Sequence, residues 1–125
     1  MKVNLSLAGA QNTVAAGFDT LANLENITGS KFADTLKGDA NANSIMGGEG
    51  NDVIEGGPGK DTLDGGAGID TLSYATSTVA VTVDLKKTVF AGDKSVKYFE
   101  NITGSRRNDK LVGSDVANVI VGGLG

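Results

Sequence analysis

Residues 29–73 read GSKFADTLK, GDANANSIM, GGEGNDVIE, GGPGKDTLD and GGAGIDTLS, five nine-residue segments without a gap. Glycine opens each segment, Asp or Asn holds the sixth place, and Leu or Ile holds the eighth. Glycine also fills the second and fourth places of the last three. A short fixed period carried by backbone, charge and apolar residues together means a stacked coil, because no single repeat can bury its own apolar face. Places 1–6 read as a turn and places 7–9 as a three-residue strand. The eighth-place residues point inward: Leu36, Ile45, Ile54, Leu63 and Leu72, then Leu111 and Ile120, with Ile27 and Ile102 one nonad ahead of each run. If successive strands lie on opposite sides of the coil, Leu36, Ile54 and Leu72 stack on one side and Ile27, Ile45 and Leu63 on the other.

A coarser repeat lies outside this run. ENITGS occurs at 25–30 and again at 100–105, each copy preceded by a strand-like segment (3–7 and 79–85) and followed by nonads, GSRRNDKLV and GSDVANVIV in the second case. Four segments result: 1–28, an N-terminal strand and capping segment; 29–73, the nonad coil; 74–103, inserted strands and a loop; and 104–125, the start of a second array. Within the insert, Val79, Val81 and Val83 alternate as one face of a strand, and Gly92-Asp93 marks a turn or hairpin loop. The insert is three nonads plus three residues long, so the register must shift near that loop. The final GGLG is the first four places of another nonad, which reads as a piece cut from a longer array.

Composition narrows the function. Four Phe, two Tyr and no Trp are too few large side chains for a conventional core, and 16 of the 19 glycines occupy places 1, 2 or 4 of nonads, unlike a flexible Gly-rich linker. With no Cys and no His, disulfides, zinc–thiolate sites and Ser-His or Cys-His catalysis are excluded. The net charge is −4 and Arg106-Arg107 is the one basic couplet, a poor basis for nucleic-acid binding. No stretch approaches the ~20 apolar residues of a membrane span, and the first residues lack the apolar region of a signal peptide. Export would rely on a signal outside these residues. The Asn-Ile-Thr tripeptides at Asn26 and Asn101 match a glycosylation acceptor but read as structural strand residues.

Acidic residues comprise 11 Asp and four Glu. Short carboxylates suit turns and hard, oxygen-seeking cations. Stacking the coil would bring sixth-place aspartates near the ~4.8 Å strand spacing, where two carboxylates repel by about 3 kcal/mol at an effective dielectric of ~20. A divalent cation between the turns reverses that sign. Ca²⁺ accepts six to eight oxygens, backbone carbonyls included, whereas Mg²⁺ demands stricter geometry and retained water. The chain without metal should be marginal or unfolded.

The three full matches from Gly47 to Ser73 resemble the calcium-binding nonad array of the RTX (repeats-in-toxin) family of bacterial proteins, whose nonad is an established calcium-binding signature. The resemblance is strong from Gly29 to Ser73 and extends over a further stretch from Gly104. It implies an all-β, right-handed parallel β-roll with 18 residues per coil, each calcium lying between turns two nonads apart. The ligands would be sixth-place aspartates and carbonyls of the first four places. Carried over, the best site joins Gly47, Gly48, Glu49, Gly50 and Asp52 to Gly65, Gly66, Ala67, Gly68 and Asp70. A second joins the turn ending at Asp34 to that ending at Asp52, and a third joins the turn ending at Asn43 to Gly56, Gly57, Pro58, Gly59 and Asp61. Neutral Asn43 and the glycine-poor turn before Asp34 make these two weaker or empty, and a site at Asp109 would need the turn beginning at Gly122.

The resemblance further implies a non-catalytic calcium-binding module of a secreted bacterial protein, exported unfolded by a type I system and folding on meeting roughly millimolar calcium outside the cell. It would serve the secretion, stability or spacing of a larger parent chain. Alternatives are a glycan-binding module like those attached to alginate epimerases, with Lys86, Lys87, Lys94 and Lys97 beside Tyr98 facing an extracellular polysaccharide, or an adhesin repeat acting as a calcium-stiffened spacer.

Overall fold

Strands fall where the eighth-place lattice puts them. The computed structural model describes residues 1–6, 10–12, 18–20, 24–88, 92–93 and 95–125. Every regular element among them is a strand: β1 (Lys2–Asn4), β2 (Ala10–Asn12), β3 (Phe18–Thr20), β4 (Asn26–Thr28), β5 (Thr35–Lys37), β6 (Ser44–Glu49), β7 (Val53–Glu55), β8 (Thr62–Ala67), β9 (Thr71–Ser73), β10 (Thr82–Asp84), β11 (Ser95–Lys97), β12 (Asn101–Thr103), β13 (Lys110–Val112) and β14 (Ile120–Val121). Leu7, at the end of the strand-like segment 3–7, and Lys94 lie outside the described residues.

Two parallel stacks carry the coil. One sheet runs β1-β5-β7-β9-β12-β14 and the other β11-β8-β6-β4. Thr35 pairs with Val53, Val53 with Thr71, and Ser44 with Thr62, so each coil is 18 residues long. Leu36, Ile54, Leu72 and Ile102 therefore align in one stack and Ile27, Ile45, Leu63 and Val96 in the other. All eight are buried in one cluster. The architecture is a parallel β-roll, with a core one aliphatic side chain wide on each side.

Three features depart from the simplest lattice. First, β6 and β8 do not stop at place 9: Gly48 pairs with Gly66 and Glu49 with Ala67, so the ladder runs into the following turn. Second, the alternation at 79–83 overstates the strand. Val79 is 66% exposed and precedes β10, while Val81 and Val83 are buried. Third, the insert places strands out of chain order. β10 pairs with β13 of the later array, whereas β11, further along the chain, continues the earlier stack on β8. That crossover accommodates the register shift. Leu72 pairs with Ile102 and Leu63 with Val96, neither spacing being a whole number of nonads.

Candidate metal centre

The second place of each nonad sorts the turns into two kinds. Where it is Ser or Asp, its own N–H closes on the sixth-place side chain: Ser30 N donates to Asp34 Oδ2 (2.5 Å), Asp39 N to Asn43 Oδ1 (2.8 Å), Ser105 N to Asp109 Oδ2 (2.6 Å) and Ser114 N to Asn118 Oδ1 (2.7 Å). The Ser105 hydroxyl adds a second bond to Asp109, and the α-amino group of Met1 contacts Asp34 Oδ1. Where places 2 and 4 are both glycine, that closure is lost. Gly48 and Gly50 have φ 106°, Gly57 and Gly59 92° and 146°, and Gly66 and Gly68 100° and 149°. This left-handed region strains any residue with a Cβ. Close stacking adds a second demand, since a Cβ on Gly66 would overlap the Gly48 carbonyl oxygen below it. Glu49, Pro58 and Ala67 occupy the exposed tips of these three turns.

The sixth-place carboxylates of the glycine turns are the consequence. Asp52, Asp61 and Asp70 are 0–1% exposed. One oxygen of each is satisfied through the stack: Asp34 N donates to Asp52 Oδ1 (2.8 Å), Asn43 N to Asp61 Oδ1 (2.9 Å) and Asp52 N to Asp70 Oδ1 (2.8 Å). The other oxygen, Oδ2 in every case, is buried with no hydrogen-bond partner. These three are the only such side-chain atoms among the described residues. A buried, unpartnered carboxylate oxygen is costly, and its repetition at three equivalent places points to a missing partner. Burial pushes all three carboxyls above the ordinary value, aided by the charges of Asp34 on Asp52, of Asp39 on Asp61, and of Asp52, Glu100 and Asp64 on Asp70. Asp34 and Asp109 move the other way. Burial, which raises them, is outweighed by hydrogen bonds from the Met1 amino group and Ser30 in one case, and from Ser105 and Val81 in the other.

Carbonyl oxygens of the coil above stand near the orphaned atoms of Asp52 and Asp70. The space a Cβ would take at Gly47 is flanked by Asp52 Oδ2 and the Gly65 carbonyl of the next coil. Among the described residues no three acidic side chains converge on one point. A bound ion would therefore draw most of its oxygens from backbone.

The family model described as RTX calcium-binding nonapeptide repeat (4 copies) matches residues 25–52, 38–72 and 98–125, together more than half of the chain. This chain belongs to the RTX calcium-binding nonapeptide repeat family. Such repeats bind Ca²⁺. No curated protein and no solved structure matches the chain significantly. The glycine turns of this RTX chain fit that ion: hard carboxylate and carbonyl oxygens, no sulfur or imidazole, and a deficit of partners at the place the ion would fill.

The structure also brings in residues that the nonad pattern did not flag. Glu100 Oε2 accepts the Asp70 N–H at 2.8 Å, taking the part that Asp70 plays toward Asp52. Counting back from Ile102 at place 8 would have put Glu100 at place 6. Asp93, buried beside Asp61, accepts from the Tyr74 hydroxyl at 3.0 Å, and burial raises its carboxyl to about 6. It follows a register shift, so no periodic signal marks it.

Proposed function

We propose that the chain is a non-catalytic module that folds on binding calcium, with the glycine turns around Asp52, Asp61 and Asp70 as its principal sites. The supporting observation is the set of three buried, unpartnered Oδ2 atoms, found among the described residues only where places 2 and 4 are both glycine. In the turns of Asp34, Asn43 and Asp109 the second-place N–H already occupies the sixth-place side chain, so these hold calcium weakly or not at all. Segment 29–73 is the calcium coil, 1–28 its cap, 74–103 the insert and 104–125 a second array that follows it.

The setting proposed is a larger secreted bacterial protein, exported through a type I system and folded by extracellular calcium, with the module serving secretion, stability or spacing. No helix of the described residues is long and apolar enough to cross a membrane. The glycan-binding alternative draws little support. A groove of about 250 Å³ runs past Lys86, Lys87, Lys97 and Tyr98, but Lys86 pairs with Asp115 (2.5 Å), Lys87 with Asp84 (3.7 Å) and Lys97 with Asp64 (2.9 Å).

Single Asp→Asn substitutions read by calorimetric calcium titration test the assignment. Asp52→Asn, Asp61→Asn and Asp70→Asn should each weaken binding by about tenfold or more, at least ~1.4 kcal/mol. Asp34→Asn and Asp109→Asn should leave it within about threefold, under ~1 kcal/mol. Equal losses at all five positions would contradict the distinction between the two kinds of turn.

A further inference from the structure

We infer that the non-repeat turn formed by Tyr98, Phe99 and Glu100 completes a calcium site on Asp70, so that a segment outside the nonads supplies ligands to the last coil. The inference rests on the reading that orphaned place-6 oxygens are calcium ligands, and extends it to residues that carry no glycine signature.

Three correspondences support it. Asp70 is fully buried and its Oδ2 has no partner, as in Asp52. The Tyr98 carbonyl stands over Gly65 where the Gly65 carbonyl stands over Gly47, each beside the orphaned oxygen of the turn below. The Glu100 carboxylate receives the Asp70 N–H at 2.8 Å, the same distance at which Asp70 receives that of Asp52. Thus Tyr98 stands for place 1 and Glu100 for place 6 of a further turn, although only one residue lies between them. The extra methylene of Glu over Asp lets a carboxylate reach the lattice position from so short a turn.

Backbone strain and charge agree. Tyr98 has φ 59°, the only positive value at a non-glycine among the described residues. Such a conformation is strained for a residue with a Cβ and persists only where surroundings impose it. Asp70 lies in the field of Asp52, Glu100 and Asp64. The neighbouring cation, Lys97, is held by Asp64 at 2.9 Å and over the Tyr98 ring at 5.0 Å. A divalent ion between Asp70 and Glu100 would relieve the remaining repulsion.

The test uses the whole chain and two readouts. Glu100→Gln keeps an acceptor for the Asp70 N–H but removes the charge. Native mass spectrometry at the free calcium that just fills the wild-type sites should show one ion fewer than wild type, with affinity at that site down by about tenfold or more. Terbium luminescence then locates the ion. With no Trp and two Tyr, sensitised emission comes from Tyr74 and Tyr98. Tyr98→Phe preserves the carbonyl and should leave the ion count unchanged while lowering emission substantially, with Tyr74→Phe removing the remainder. A Glu100→Gln count equal to wild type, or Tyr98→Phe emission equal to wild type, would overturn this site while leaving the nonad sites standing. A wild-type chain that binds no calcium would overturn the parent reading and this one with it.

Discussion

At the scale of single residues, the second place of the nonad decides what the sixth can do. Ser30 and Ser105 turn their N–H groups onto Asp34 and Asp109, whereas Gly48, Gly57 and Gly66, at positive φ, leave Asp52, Asp61 and Asp70 each with one free oxygen. A proton can occupy that oxygen when calcium is absent. Because burial raises these three carboxyls and takes Asp93 to about 6, the folded chain holds protons there more tightly than the unfolded chain. Their contribution to stability is therefore complete below the ordinary carboxylate pKa and is lost as pH rises through the raised values. Asp34 and Asp109, lowered in the fold, contribute above the ordinary pKa and fail only in stronger acid. In EDTA the far-ultraviolet β signal should thus grow as pH falls from 7 through 6 toward the ordinary carboxylate range. A signal that is flat or falling across that interval would contradict the burial of these groups.

At the scale of elements, the eighth-place lattice was legible through Ile102 but not beyond it. Ile120 pairs in register with Ile102 yet is 45% exposed, and Leu111 is only partly buried, because among the described residues no further strand stacks on them. One inward Leu or Ile per strand dictates both stacks, and Ile27 and Ile102 join it as the spacing requires. The fates of 79–83 and 93–100 were not legible. Alternation cannot say where a strand begins, so exposed Val79 looked like Val81. A register shift also hides Val96 and Asp93 from any count made in nines. The candidate site was legible in its aspartates and glycines, and in Glu100 by a count back from Ile102, but not in Tyr98, whose role arises from a three-dimensional match between a three-residue turn and a six-residue one. Truncating the stack at its centre, Leu63→Ala, should cost about 2–5 kcal/mol as a buried cavity, against within ~0.5 kcal/mol for exposed Val79→Ala. Gly66→Ala, with both positive φ and the Gly48 carbonyl in its way, should raise the calcium needed for folding well beyond Gly92→Ala. Gly92 shares the positive φ (91°) but has open space around it. Equal effects of the two glycine substitutions would remove close turn stacking from the account.

At the scale of the whole molecule, the core is one side chain wide on each side and the described residues bury three unsatisfied carboxylate oxygens. Hydrophobic burial of that kind does not readily offset both backbone ordering and desolvated charge. A ligand that binds only the folded chain shifts the balance by RT ln(1 + [L]/Kd), about 2.7 kcal/mol per site at a hundredfold excess over Kd, and several sites in one roll act together. The same stacking that makes each turn depend on its neighbour then makes folding cooperative along the coil. Far-ultraviolet circular dichroism of the whole chain at neutral pH, first in EDTA and then through a calcium titration, tests this most directly. A weak or absent β signal is expected in EDTA, followed by a steep, sigmoidal gain as calcium approaches roughly millimolar, with magnesium at equal concentration giving little. A full β signal in EDTA that calcium leaves unchanged would contradict it.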